Sequence, residues 1–134
     1  MKASVKWIGK ELFMGTSDSG HTIVLDANAG ASAPSPLENV LISLGACSSV
    51  DVVSILEKSR QNISACRVDI QAKRVDSVPK LFSDIHLHFV ITGQEVAEKH
   101  VERAVKLSAD KYCSVALMLN KTVNITHDFE IVDD

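Results

Sequence analysis

Hydrophobic and polar residues alternate in three parts of the chain, and such alternation is typical of half-buried strands. Between Lys2 and Asn28, short runs rich in Val, Ile, Phe and Trp are separated by glycine-containing clusters, which predicts three strands in an antiparallel meander. The alternation from Cys66 to Ala72 and from Ile85 to Ile91 predicts two more strands, joined by an open loop through 77–80. A last strand is predicted from Val123 to Val132.

The stretch from Pro36 to Leu56 is apolar nearly all round, which is typical of a central, buried helix. Ser35, Pro36 and Glu38 predict its start, because they provide an N-cap, a first-turn proline and an acid at the positive helix end. Gly45 costs a helix about 1 kcal/mol relative to alanine. We therefore expect another backbone to pack closely against Gly45.

Two further helices are predicted near the carboxyl end. Apolar and small residues recur at helical spacing from Ala97 to Ser108, and after a bend near Asp110 a second helix from about Lys111 to Leu119 carries Cys113. The order is three strands, buried helix, two strands, helix pair and strand, without a repeat or a linker. This order predicts an α+β fold in a single domain over residues 1–134.

Composition and charge narrow the range of partners. The 134 residues carry 14 basic and 17 acidic side chains, a net charge of −3 without a basic cluster, so neither nucleic acid nor a membrane is an expected partner. The amino terminus lacks the apolar region of a signal peptide, and no run approaches the roughly 20 apolar residues of a spanning helix. We expect a cytoplasmic protein whose three cysteines stay reduced, so that any disulfide is transient.

The candidate reactive groups are Cys47 and Cys113, which are distant in sequence but lie in segments that must both pack in the core. Cys47 shares one helix face with Leu44 and Asp51, and Cys113 stands near a helix start, where free amides lower a thiol pKa. A buried thiol pair suggests redox chemistry. The alternative is that each is a small core hydrophobe, the usual place of a free cysteine, and that Asp51 serves a buried donor. Cys66 is interpreted as packing only.

The histidines are weaker candidates. His86 and His88 share a face of one strand and could supply two metal ligands, but no other residues complete such a set, so a solvated or interface-covering polar face is favoured. His127 follows the alternating line of Val123 and Phe129, which predicts a hydrogen-bonded histidine at the edge of the core. The sequence predicts no metal site and no cofactor.

Two cysteine-containing segments resemble the OsmC/Ohr family. They are Ala33–Ser48, with the sequence APSPLENVLISLGACS, and Cys113–Val115, which begins 66 residues after Cys47 (113 − 47). The segments Lys2–Trp7, Asp51–Leu56 and Lys111–Leu119 resemble its YhfA-like branch. The resemblance covers the whole chain in order.

This resemblance implies an intertwined homodimer, in which antiparallel six-stranded sheets wrap around the central helices and the active sites lie at the subunit boundary. It also implies reduction of organic hydroperoxides. Cys47 would be the peroxidatic thiol that becomes a sulfenic acid, Cys113 would resolve it as a disulfide, and a dithiol such as protein-bound lipoamide would reduce that disulfide. Glu38 would be the acidic residue of the site.

Two departures from the peroxidase pattern keep other functions open. In the peroxidase branches the acid directly follows the helix-start proline, whereas here Leu37 intervenes and Glu38 lies about 100° further around the helix. The peroxidases also use an early arginine, but no arginine precedes Arg60, and a lysine cannot reproduce its bidentate fork. The alternatives are a non-catalytic dimeric module that binds a small apolar molecule, and a purely structural dimer.

Overall fold

The computed structural model describes all 134 residues, which form two compact units, 1–42 and 43–134. The predicted α+β fold and element order are confirmed. The elements are β1 (Ala3–Gly9), β2 (Leu12–Ser17), β3 (Thr22–Asp26), α1 (Pro36–Lys58), β4 (Asn62–Arg74), β5 (Phe82–Gln94), α2 (Glu98–Leu107), a π-helical segment (Ser108–Tyr112), α3 (Ser114–Leu119) and β6 (Asn124–Asp133).

The first unit is the predicted antiparallel meander, in the order β1-β2-β3. Its loop toward α1 is organised by Asp26, a buried acid whose two carboxylate oxygens accept from the amides of Asn28 at 2.7 Å and Ser32 at 2.8 Å. Each bond satisfies a loop amide that no strand partner reaches. The short polar segment before α1 is therefore held in one conformation.

The first turn of α1 is a capping box. The Ser35 hydroxyl accepts from the Glu38 amide at 3.2 Å, and the Glu38 carboxylate accepts from the Ser35 amide at 2.9 Å. Two amides that have no partner within the helix are thus satisfied reciprocally. The helix start predicted from Ser35, Pro36 and Glu38 is confirmed.

The second unit contains a mixed sheet in the order β4-β5-β6. Strands β4 and β5 pair antiparallel, but β5 and β6 pair parallel, with Ile85 opposite Ile125. The expectation of wholly antiparallel sheets is therefore wrong for β6. The reason is the long helical connection from β5 to β6, since a crossover of this kind returns the chain in the same direction.

One face of α1 packs into the core of the second unit. Gly45 lies against two side chains of β4, where a Cβ at position 45 would be 2.7 Å from Ile70 Cδ1 and 3.2 Å from Val68 Cγ1. The predicted close approach at Gly45 is thus made by side chains, not by another backbone. The fully or nearly fully buried apolar residues of this core are Leu44, Val52, Leu56, Ile85, Leu87, Phe89, Val90, Ile91, Val101, Ala104, Val105, Cys113, Ala116 and Val123.

The opposite face of α1 is apolar and open in the single chain, where Ile42 is 55% exposed and Val50 is 68% exposed. The expectation of a helix buried all round is wrong for one chain. So is the expectation that no segment is long and apolar enough to span a membrane, because the 23 residues of α1 meet that criterion. The core helix of a soluble protein meets it as well, so the criterion alone does not assign a membrane span.

Gly93 of β5 has no room for a side chain. A Cβ there would press on the Asn62 carbonyl oxygen and lie 2.9 Å from Ile63 Cα, and neither backbone atom can move aside cheaply. Gly93→Ala is expected to lower the free energy of unfolding by about 1–3 kcal/mol in urea titrations. Gly15→Ala is the control, since its Cβ would make only a 3.6 Å contact with Ile23. Equal effects of the two substitutions would contradict this account.

Candidate redox site at Cys47 and Cys113

The structure brings the thiols of Cys47 and Cys113 together. Cys47 is held by α1, and Cys113 directly precedes α3. Cys47 is near enough to Cys113 to act on the ionisation of its thiol, and all three cysteines of the chain are free. The two residues are therefore neighbouring free thiols in the core, and their role as a reactive pair stays a prediction.

The two thiols differ in access to solvent. Cys113 is 0% exposed, whereas Cys47 is half-buried. A molecule approaching from solvent meets the sulfur of Cys47 first.

The backbone around Cys113 differs from the predicted helix over 111–119. Residues 108–112 form a π-helical segment, Cys113 itself is extended, and α3 begins only at Ser114. The Cys113 amide closes the π-helical segment by donating to the Ser108 carbonyl at 2.9 Å. Such i→i+5 turns accommodate one more residue than an α-helical turn and are frequent at functional sites. Here the turn places Cys113 at the N-cap of α3.

Two donors contact the sulfur of Cys113: the hydroxyl of Ser48 and the backbone amide of Ala116, each at 3.4 Å. Burial nevertheless raises the pKa of the Cys113 thiol, and this outweighs the opposing effect of the two donors; Cys47 raises the pKa further. The expectation of a lowered pKa is thus wrong for Cys113. The Ala116 amide at the helix start does contact the sulfur, but it lowers the pKa by less than desolvation raises it.

Asp51 and Ser108 complete the polar contacts behind the thiol pair. The buried hydroxyl of Ser108 donates to the Asp51 carboxylate at 3.0 Å and lies 3.3 Å from the Ser48 carbonyl oxygen. The interpretation that Asp51 serves a buried donor is confirmed. Sequence reasoning missed Ser48 and Ser108 as contributors to the site. The signal was available for Ser48, because a serine on an apolar helix face needs a buried partner.

Ser48, Ser108 and Ala116 also line a cavity of about 110 Å³. Phe89 contributes to its apolar wall, and His127 lies at its edge, exposed to solvent. The core-edge position expected for His127 agrees with this, but its side chain is exposed and forms no hydrogen bond, so the hydrogen-bonded part of the expectation is wrong.

Glu38, the predicted acidic residue of the site, is exposed and its carboxylate is engaged by the Ser35 amide in the capping box. Its conformation is explained by the helix start alone. A role of Glu38 in the site stays a prediction.

Cys66 is half-buried, and burial raises the pKa of its thiol despite a hydrogen bond from Ser49. This environment agrees with the interpretation of Cys66 as a packing residue.

The histidines of β5 pair with side chains of the parallel strand β6. His86 contacts Thr126 at 2.6 Å and Asp128 at 2.9 Å, and His88 contacts the same Asp128 at 2.7 Å and Glu130 at 3.3 Å. Both histidine side chains keep about a third of their surface in solvent, at 39% and 32%. They belong to a partly solvated polar face, which was the favoured interpretation.

Comparison with known proteins decides the family. The family described as OsmC-like protein matches residues 29–128, a span that contains both thiols of the pair. Protein YhfA of Escherichia coli K12 is 53% identical over 132 residues, covering 98% of each chain. This chain belongs to the OsmC family.

The similarity to solved structures extends over nearly the whole chain. A hypothetical protein from Aquifex aeolicus is 31% identical, with a TM-score of 0.89 over 99% of this chain and 96% of that one. The organic hydroperoxide resistance protein OhrB of Bacillus subtilis is 15% identical, with a TM-score of 0.65 over 96% of each chain, and shares the fold alone. The predicted resemblance, including its YhfA-like branch, is confirmed.

His88 provides a test of the polar face of this OsmC chain. Hydrogen bonds to Asp128 and Glu130 raise the pKa of His88 above its ordinary value of 6.5. The protonated imidazole therefore stabilises the fold below pH 6.5, and this contribution is lost as the pH rises through the higher folded value. NMR titration should show the raised pKa, and Asp128→Asn should return it toward the ordinary value. Asp133→Asn, on the same strand, should leave it unchanged; an unshifted His88 in the original chain would contradict the pairing.

Proposed function

We propose that this protein is a cytoplasmic thiol-dependent hydroperoxide reductase that uses Cys47 and Cys113. The observation that carries the proposal is the pairing of a half-buried thiol with a fully buried one on neighbouring elements. Membership of a family that includes organic hydroperoxide resistance proteins of the same fold supports an organic hydroperoxide as substrate.

The proposed chemistry begins at Cys47. Its thiolate attacks the terminal oxygen of the hydroperoxide, the O–O bond breaks, and the alkoxide leaves and takes a proton to become the alcohol. Cys47 is now a sulfenic acid. The sulfur of Cys113 attacks the sulfur of Cys47, and water leaves as the disulfide forms. An external dithiol returns the pair to two thiols and becomes a disulfide itself.

The difference in burial supports this division of roles. Cys47 is the sulfur that a peroxide from solvent reaches, while Cys113 is 0% exposed and meets only groups of its own chain. The raised pKa of Cys113 keeps that thiol protonated, so it does not compete for the peroxide. Because the two thiols are neighbours in one chain, the second step is intramolecular, which greatly raises the effective concentration of the attacking thiol.

The test mixes reduced protein with cumene hydroperoxide and dihydrolipoamide. We expect peroxide consumption that is lost in Cys47→Ser, and a Cys47 to Cys113 disulfide detected by mass spectrometry after peroxide treatment. Cys66→Ser is the matched control and should keep both, since Cys66 contacts Ser49 and not the pair. Peroxide consumption no higher than that of Cys47→Ser would contradict the peroxidase proposal.

A second candidate is a dimeric module that binds a small apolar molecule without peroxidase chemistry. The engagement of Glu38 in the helix cap and the absence of an arginine before Arg60 favour it. The same assay separates the two candidates, because the module would give neither consumption nor a disulfide.

We also propose that the protein works as a homodimer whose interface covers the open face of α1. Exposing Ile42 and Val50 in water is unfavourable, and large apolar patches of this kind mark interfaces. A second copy of α1 supplies a matching apolar surface in a symmetric pair. A membrane is the less suitable cover, because α1 also carries Asp51, bonded to Ser108 within the chain.

The dimer is tested by light scattering. The original chain should have twice the mass of one chain, and Val50→Glu should shift it toward the monomer because a carboxylate would be buried in the interface. Val78→Glu is the control, since Val78 is 90% exposed in the loop between β4 and β5. A monomeric mass for the original chain would contradict the proposed dimer.

A further inference from the structure

A circuit of polar contacts joins α1 to the segment that carries Cys113. The Ser48 hydroxyl donates to the Cys113 sulfur at 3.4 Å, the Cys113 amide donates to the Ser108 carbonyl at 2.9 Å, and the Ser108 hydroxyl lies 3.3 Å from the Ser48 carbonyl oxygen. The Asp51 carboxylate holds the same Ser108 hydroxyl at 3.0 Å. All three members of the circuit are buried.

The bond from Ser108 to Asp51 holds the Cys113 segment against α1, so the Ser48 hydroxyl stays in contact with the Cys113 sulfur. Ser48 and Ser108 are 2% and 1% exposed, so water does not compete for their hydroxyls as it would at the surface. Hydrogen bonds to an ionised acceptor are about twice as strong as those between neutral groups. The Ser48 contact therefore strengthens when the sulfur of Cys113 becomes an anion.

We propose that Ser48 is a thiolate-stabilising residue: with the Cys113 segment tied to α1 by the hydrogen bond from Ser108 to Asp51, the Ser48 hydroxyl stabilises the sulfur of Cys113 as the leaving thiolate when a dithiol attacks Cys47 in the Cys47–Cys113 disulfide. This inference rests on the proposed peroxidase cycle. A thiolate of the external dithiol bonds to the Cys47 sulfur, the bond between Cys47 and Cys113 breaks, and its electron pair goes to Cys113. The second thiol of the reductant then displaces Cys47, so the protein gains two electrons and the reductant becomes a disulfide.

The structure favours Cys47 as the attacked sulfur for two reasons. Cys47 is the half-buried member of the pair, and Cys113 is fully buried. The leaving sulfur is faster to depart when its thiolate is stabilised, and the hydroxyl of Ser48 contacts the sulfur of Cys113. A positively charged side chain often stabilises a thiolate. No cation is among the groups that shift the pKa of Cys113, so the side-chain donor here is a hydroxyl.

The experiment uses the full chain with Cys113 as its single cysteine, made by Cys47→Ala and Cys66→Ala. The pKa of Cys113 is measured from thiolate ultraviolet absorbance against pH. Adding Ser48→Ala should raise that pKa and reduce the thiolate fraction at a given pH below it by about tenfold, which is one pKa unit. Ser49→Ala, the adjacent serine of α1 that contacts Cys66, should leave the pKa unchanged.

An equal pKa in the Ser48→Ala and Ser49→Ala chains overturns the proposal. Circular dichroism establishes that each variant is folded. Should Ser48→Ala fail to fold, Ser108→Ala decides, because loss of its hydroxyl breaks the bond to Asp51 that ties the Cys113 segment to α1 and should raise the pKa of Cys113 by a smaller amount; no change there overturns the proposal as well. The titration needs neither peroxide nor a disulfide, so a failed peroxidase assay and a failed titration are separate results.

Discussion

The burial of one sulfur atom ties three segments of the second unit together. Cys113 is fully buried, and a buried polar group without partners costs free energy. Its sulfur has two donors, Ser48 of α1 and the Ala116 amide of α3. Three elements must therefore agree in position: α1 has to present Ser48, the π-helical segment has to end at Cys113, and α3 has to begin directly after it. A shift in any of them alters the position of Cys113 relative to Cys47.

α1 must satisfy two different requirements along its length. One face is buried within the chain, where Gly45 allows the side chains of Val68 and Ile70 to approach. The other face, which includes Val50, is equally apolar but open. A helix with both properties has the composition of a membrane-spanning segment, and composition alone cannot separate the two cases. The buried Ser48 and the bonded Asp51 separate them, because they tie polar groups of the helix to partners in the same chain.

The order and type of the elements could be predicted because strands and helices have different hydrophobic periods, a local property of the sequence. The direction of β6 does not follow from its own pattern, since the period of a strand is two in both parallel and antiparallel pairs; the signal lay in the predicted helical connection that precedes it. The π-helical segment could not be predicted, because residues 111–119 have a composition that suits one continuous helix. Only the hydrogen bond from Cys113 to Ser108 reveals where the regular helix stops.

The proximity of the two thiols could also be predicted, but their electrostatics could not. A helix-start amide lowers the pKa of a thiol when solvent is near, whereas Cys113 is so deeply buried that desolvation decides the sign. Burial is a property of the assembled core, which no local pattern reports. This outcome has a chemical consequence in the proposed cycle. Two equally ionised thiols in contact would both attack peroxide and would repel each other. A buried Cys113 that stays protonated until Cys47 has been oxidised separates the two steps in time. The Ser48 hydroxyl favours the thiolate of Cys113, so it limits how much the raised pKa slows disulfide formation.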